Sequence, residues 1–284
     1  MRLTLCIVNW NTRDYLRECL ASAFLYAPGG VDLEAIVVDN ASEDGSEAMV
    51  AAEFPQVVLI ANPDNRGYAE GNNQALRRAS GDYLLLLNPD VVLHSESLTH
   101  ALEFMAKHPE AGALGCRLLG PEGETQSSLR AFPEPQPVLW EFLGLSRLFP
   151  KSRRFGAYRM TWFDYDSMIE VDQPMGSFLL LSRKAFETVG LMDTQFPIFF
   201  NEVDWCWRAK RELGFRIYYT PDVVVTHYGG GSTKQVKAGM VRESHRSLLR
   251  FYDKHFASLA VPVRWMITRA VLLNEWRLLR KTTG

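Results

Sequence analysis

The sequence predicts an α/β fold, a mostly parallel, Rossmann-like sheet flanked by helices, and three observations carry that prediction. From Leu3 to Lys107, short apolar runs alternate with helical patterns of roughly ten residues, the rhythm of βαβ units. Polar clusters follow four of those runs: Asn9-Trp10-Asn11, the stretch from Asp39 to Ser46, Asn65-Arg66-Gly67 and Asn88-Pro89-Asp90. The last follows four consecutive leucines, Leu84 to Leu87, which suit a strand covered on both faces.

Leu3 to Val8 reads as the first strand, Thr12 to Ala23 as a helix capped by Asn11 or Thr12, and Leu33 to Val38 as the second strand. A helix over Ser46 to Glu53, a strand over Val57 to Ala61, a helix over Tyr68 to Ala79 and a strand over Tyr83 to Leu87 follow. A proline cannot donate to a sheet ladder, so this strand should stop at Pro89 and present the Asp90 carboxylate at its tip. Beyond a helix at Ser95 to Lys107 and a strand near Ala113 to Leu118, the character changes. Residues from Thr125 to about Glu170 hold Pro133, Pro135, Pro137 and Pro150, many aromatics and the basic cluster Lys151, Arg153 and Arg154, which predicts an excursion with short helices beside the site. Regular pattern returns with a strand at Gly176 to Leu181, a helix at Arg183 to Val189, a helix at Glu202 to Leu213 closed by Gly214, and strands at Arg216 to Tyr219 and Val223 to Val225.

With 284 residues, 47% hydrophobic and 23% charged, the chain can bury a sizeable core. A formal net charge of −2 argues against a dedicated nucleic-acid binder. The charge is uneven, since from Lys234 onward there are 11 Lys and Arg against 3 Asp and Glu. Cys6, Cys19, Cys116 and Cys206 show no zinc-ligand spacing and read as buried thiols of a reducing compartment. Leu3 to Val8 runs into Asn9-Trp10-Asn11 without a cleavage-site pattern, so a cytoplasmic protein is expected. The apolar stretch from Leu259 to Leu273 is broken by Arg264 and Arg269 and is too short and charged to span a bilayer.

In an open α/β sheet, ligands bind beyond the carboxyl ends of the strands, where the polar clusters converge if the sheet is parallel. Asp39 could there accept from a pyrimidine imide while Arg66 lies near the base or phosphates; the competing reading of Asp39 to Ser46 is a helix N-cap. The first βα turn carries neither a GxGxxG fingerprint nor a Walker A sequence, so diphosphate charge must be met by side chains or a cation, which favours Asp90 as a metal ligand. Glu202 and Asp204 open a helix amid Phe199, Phe200, Trp205 and Trp207. They are either dipole-favoured first-turn acids or, with a pKa raised by apolar surroundings, a general base. Arg208 stands one turn beyond Asp204 and could simply pair with it. His227 precedes three glycines and two hydroxyls, a loop able to close on phosphate, and histidine also ligates metals.

The stretches VNWN, VVDNASEDGS, NRGYAEGNN, LLLLNPDVV, FFNEVDWCWR and HYGGGST occur in the order and approximate spacing of family 2 glycosyltransferases with the GT-A fold, which the chain resembles from about Leu3 to Thr233. It is most similar to the rhamnosyltransferase-like branch that builds bacterial polysaccharide. The resemblance implies inverting transfer of a sugar from a nucleotide-diphosphate donor, dTDP-rhamnose or a UDP-sugar, to a glycan or lipid-linked acceptor. It implies that Asp39 reads the pyrimidine and that Asp90 holds Mg²⁺ or Mn²⁺ with help from His227. Glu202 matches the base, with Asp204 as the competing candidate. Asn9, Asn11, Asn40, Arg66, Gly67 and Asn88 fall in the donor-side motifs, and Asp172, Met175 and Gly176 match a region lining the sugar and acceptor site. Asn88 stands where a full DxD motif has its first Asp.

The resemblance divides the chain into a GT-A domain over residues 1–233, with a nucleotide-binding half (1–120) and an acceptor-binding and catalytic half (121–233), and a basic helical extension over 234–284. That extension interleaves arginines with Leu, Phe, Trp and Val, as in helices resting on the inner face of a membrane. Packing on the domain and an oligomer interface are competing readings. Two other functions compete: a sugar nucleotidyltransferase, which would carry a glycine- and base-rich first loop that Leu3 to Arg13 lacks, and a catalytically silent binding protein of the same fold.

Overall fold

A computed structural model describes residues 1–231 and 236–282, with side chains to residue 280. Ser232 and Thr233 of the glycine-rich motif lie outside the described residues. The N-terminal half runs β1 (Arg2–Asn9), α1 (Arg13–Leu25), β2 (Asp32–Asp39), α2 (Ser46–Glu53), β3 (Val58–Ala61), α3 (Gly67–Arg78) and β4 (Tyr83–Leu87). The pairs β1–β2, β1–β4 and β2–β3 are all parallel, as the βαβ rhythm predicts. The leucine run is explained by its neighbours. Leu85 and Leu87 enter one core with Leu3, Leu5 and Ile7, while Leu84 and Leu86 enter a second with Cys6 and Val8. Successive side chains of a strand point to opposite faces, so a strand with helices on both sides has no position left for a polar residue. α1, α2 and α4 cover the first core, and α3, α7 and α8 the second.

After β4 come β5 (Val91–Leu93), α4 (Ser97–Lys107) and β6 (Ala111–Leu119). The proline-rich excursion holds β7 (Leu129–Arg130), α5 (Pro135–Phe142), α6 (Leu145–Leu148), β8 (Ile169–Glu170) and β9 (Gln173–Pro174). β10 (Phe178–Ser182), α7 (Arg183–Val189), α8 (Asn201–Trp207), β11 (Arg216–His227), α9 (Lys237–His255) and α10 (Val261–Thr282) complete the chain. The main sheet has the order β3-β2-β1-β4-β10-β6-β11-β5. β10 runs antiparallel to β4 and β6, and β5 antiparallel to β11, so the sheet is mostly parallel.

Two boundaries differ from expectation. The strands expected at Arg216 to Tyr219 and Val223 to Val225 are one strand, β11, whose register against β6 shifts between Thr220 and Val224. Pro221 lies in that shift, where its missing amide hydrogen costs no ladder bond. The helix expected to reach Leu213 ends as α8 at Trp207 and continues as a wider π turn over Arg208–Glu212. Arg208 is tied there to Asp204 and to the Val189 and Leu191 carbonyls.

Asp204 is corrected by the fold. It is fully buried, one oxygen meeting Lys254 Nζ at 2.6 Å and His255 Nε2 at 2.7 Å, the other Arg208 Nε at 2.9 Å. Burial alone would push its carboxyl up, but the hydrogen bonds of His255 and Lys254 and the charge of Arg208 outweigh it and hold it below the usual range. A carboxylate so engaged is no base. It fastens α9 to α8, beside the aromatic contacts of Phe251 with Trp207 and Phe200. For α9, packing on the domain is therefore the reading that holds. α10 folds back on α9 through Ile267, Val271 and Tyr252.

Asp204→Ala should destabilise the protein by about 3–5 kcal/mol, because Arg208, Lys254 and His255 lose their common buried partner. Denaturant titration checks it. The contribution should be complete above the unfolded carboxyl pKa, near ~4, and fade as pH falls through the lower folded value. Leu86→Ala, which empties a fully packed strand position, should cost about 2–5 kcal/mol in the same assay.

Candidate active site

The carboxyl ends of β1, β2 and β4 open into a cleft of about 710 Å³. Asn9, Asn40, Arg66, Gly67, Asn88, Asp90, Met175, Gly176, Glu202 and His227 line it. Val236 and Met240, at the start of α9, also reach it. Local geometry explains the glycine at 67. Its φ of +82° lies in the left-handed region, and an added Cβ would stand 2.9 Å from the Pro197 carbonyl oxygen. The close approach brings the N-terminus of α3 against the segment leading to Glu202, with Ala69 N donating to Pro197 O at 3.0 Å. Phe200, just before α8, is held at φ +69°, an unfavourable conformation for a large side chain that fixes how Glu202 enters the cleft.

Asp90 and His227 meet because β5 pairs with the end of β11, Val91 lying opposite His227. His227 Nε2 is 3.5 Å from Asp90 Oδ1 and 3.2 Å from Ser177 Oγ. Gln126 assigns the tautomer. Its amide nitrogen donates to the His227 carbonyl at 2.7 Å, so its carbonyl oxygen faces Nδ1 at 2.8 Å and must accept from it. In the neutral ring this leaves the Nε2 lone pair turned toward Ser177 Oγ, which can donate to it, and toward Asp90. Burial would push the Asp90 carboxyl up, but the hydrogen bond and charge of His227, with the Gly231 amide at 3.2 Å, hold it below its ordinary value.

A site of one carboxylate and one imidazole with a carbonyl behind it fits Mn²⁺ or Mg²⁺ when a ligand's phosphates and water complete the shell. Among the described residues no three His, Cys, Asp or Glu side chains come close enough to hold an ion by themselves. Asn88 adds no charge, and its place is structural. Its amide hydrogen bonds to Ser177 O at 2.9 Å, and Tyr68 Oη donates to its Oδ1 at 2.9 Å and to Gly176 O at 3.2 Å.

Glu202 is the opposite case. Among the described residues no Lys, Arg or His pairs with it. Burial pushes its carboxyl up to about 7, against the hydrogen bonds of the first helical amides. Gly176 lies against its side chain, an added Cβ meeting Glu202 Cγ at 3.5 Å, so a larger residue there would crowd the carboxylate.

Besides Asp204, three expected site residues stand outside the cleft lining. Asp39 is fully buried behind it, accepting from Asn9 Nδ2 and from Ser42 N, each at 2.7 Å. It aims Asn9 and braces the loop, while Asn9 and Asn40 themselves line the cleft. Asn11 accepts from Glu43 N at 2.8 Å and ties the first loop to the second. Asp172 accepts from Phe132 N at 2.9 Å and from Lys210 Nζ at 3.0 Å, anchoring the excursion. Gln126, Ser177 and Tyr68 were not anticipated. Tyr68 stands inside a quoted motif and Ser177 beside Gly176, but nothing in the sequence around Gln126 announces its place behind His227.

The Glycosyl transferase family 2 profile matches residues 4–189. The chain is 26% identical to an N-acetylglucosaminyl-diphospho-decaprenol L-rhamnosyltransferase of Mycobacterium tuberculosis, over 99% of this chain and 94% of the relative. A low-salt glycan biosynthesis hexosyltransferase of Haloferax volcanii is 25% identical over 98% and 84%. Among solved structures, the mannosyltransferase PcManGT of Pyrobaculum calidifontis in complex with GDP-Man and Mn²⁺ shares the fold, with a TM-score of 0.60 and 19% identity over 98% of this chain and 72% of that one. S. aureus TarS in complex with UDP gives a TM-score of 0.56 at 17% identity over 96% and 71%. These likenesses give the sheet its name, the GT-A fold. With its profile match spanning well over half its length, the chain belongs to glycosyl transferase family 2 and is a glycosyltransferase.

Proposed function

We propose that the protein is an inverting, metal-dependent glycosyltransferase that moves a sugar from a nucleotide-diphosphate donor to an acceptor hydroxyl, with Glu202 as the base. The observation that carries this is the contrast within one cleft: Asp90 is held ionised beside His227, while Glu202, half-buried and with no cationic partner among the described residues, has a pKa raised to about 7. A base that titrates near neutrality can both accept a proton and be regenerated. Glu202 takes the acceptor hydroxyl's proton as that oxygen attacks the anomeric carbon from the side opposite the diphosphate. Asp90 and His227 would hold Mg²⁺ or Mn²⁺, which neutralises charge on the leaving group when bound. Asn9, Asn40 and Arg66 bind the nucleotide in the half formed by residues 1–120. Met175 and Gly176, in the half over 121–233, border the sugar.

The mycobacterial relative's name supports rhamnose as the sugar and a lipid-linked glycan as the acceptor, in polysaccharide or glycolipid synthesis. We infer dTDP-rhamnose as donor, with UDP-sugars as the next choice. An acceptor of that kind agrees with action at the inner face of a cell membrane; among the described residues no helix is long and apolar enough to cross one.

Glu202→Gln should reduce kcat at least a hundredfold, since general-base catalysis contributes about 10²–10⁴. Its melting temperature should stay level or rise, because the variant removes a carboxylate that burial disfavours. Retention of near wild-type turnover would dismiss Glu202 as the base. In the wild type, kcat/KM should climb with pH and level off above about 7, the range in which Glu202 loses its proton. A thermal-shift screen of UDP, dTDP and GDP with and without Mn²⁺ should show a nucleotide-dependent rise that needs the metal and shrinks in Asp90→Asn. A shift indifferent to Mn²⁺ would remove Asp90 from the metal site.

A further inference from the structure

α10 is apolar on two sides, and the packed side accounts for only one of them. Ile267 and Val271 are buried against α9, with Val263 beside them. At 100° per residue, the opposite side of the helix carries Trp265, Leu272, Leu273 and Trp276, with Met266 at its margin. These five are between 46% and 60% exposed, an unusual fate for residues of this size. Arg269 and Arg280 share the face, their guanidinium groups lying 5.3 Å from the Trp265 ring and 3.9 Å from the Trp276 ring. Arg277 is exposed at its edge. Glu275 is the sole acid between Val261 and Thr282 in the sequence.

We propose that this outer face of α10 docks on an anionic lipid surface, lying in the plane of the headgroups. Tryptophan and leucine supply the apolar area that enters the acyl boundary, and the arginines reach outward to lipid phosphates. Charge selects this occupant over a second copy of the chain. A two-fold contact through the same face would set arginines against arginines with a single acid to offset them. A sheet of phosphates complements them. The hairpin ties the docking face to the cleft: Asn274 Nδ2 lies 3.0 Å from His245 Nε2, so α10 returns alongside the start of α9, whose Met240 lines the site.

Sedimentation of the 284-residue protein with phosphatidylcholine vesicles, with and without phosphatidylglycerol, tests the proposal. The wild type should pellet with the anionic vesicles only. Each of Arg269→Gln and Arg277→Gln should weaken partitioning about fivefold, the equivalent of ~1 kcal/mol per basic residue at a charged surface. Trp265→Glu combined with Trp276→Glu should abolish it while leaving the circular dichroism and melting temperature unchanged, since both rings face outward. Failure of the wild type to pellet with anionic vesicles would overturn the proposal, as would full binding by the double tryptophan variant. Light scattering that finds a dimer which the same variant splits into monomers would assign the face to a second copy instead.

Discussion

Pro89 has no amide hydrogen, and the geometry of the site follows from that missing donor. β4 cannot continue through it, so the chain reverses, with Val91 N donating to Asn88 O at 3.2 Å. The three residues of β5 then pair antiparallel with the end of β11 rather than extending the leucine strand. That pairing joins positions more than 130 apart in the chain and sets Asp90 beside His227. Asn88, on the near side of the reversal, is held by Ser177 and Tyr68, so both ends of the turn are fixed before any ligand arrives. Under the proposed function, such preorganisation would let a single carboxylate and a single imidazole hold an ion where a longer acidic motif would supply more charge.

Three carboxylates near the site show how surroundings divide one chemical group into three tasks. Asp90 and Asp204 are both buried and both kept ionised, the first by His227, the second by Lys254, His255 and Arg208. Glu202, only two residues from Asp204, faces the opposite way on α8 and meets no cation among the described residues, so burial dominates. A helix turns about 100° per residue, and two positions are enough to separate a structural clamp from a carboxylate that faces the cleft. The clamp also ties α9 to α8, which is why α9 can lend Met240 to the cleft wall.

The extension beyond β11 is therefore two structures in one. α9 is a packed element, stitched to α8 by Asp204 and by the ring contacts of Phe251. α10 is packed on one side and apolar on the other. Composition marked the whole segment as basic and hydrophobic, and only the placement of α9 separated a face that stabilises the domain from a face turned to the outside.

By itself the sequence determined the strands and helices of the parallel half, because local periodicity and the burial of both sheet faces leave few alternatives for runs such as Leu84 to Leu87. Ten of the residues it named line the cleft: Asn9, Asn40, Arg66, Gly67, Asn88 and Asp90 through polar clusters at strand ends, and Met175, Gly176, Glu202 and His227 through segments later in the chain and the family resemblance. The tertiary structure decided what depends on partners distant in the chain. Lys254 and His255 lie about fifty residues beyond Asp204 and turn a candidate base into a clamp. Gln126 lies about a hundred before His227 and sets its tautomer. Asp39 looked like a wall of the site and proved to be its backing, because Asn9 and Ser42 close over it. Residue type and spacing fix what a side chain can do, but hydrogen-bond partners and burial fix its charge and its exposure, and these are set only when remote segments pack together.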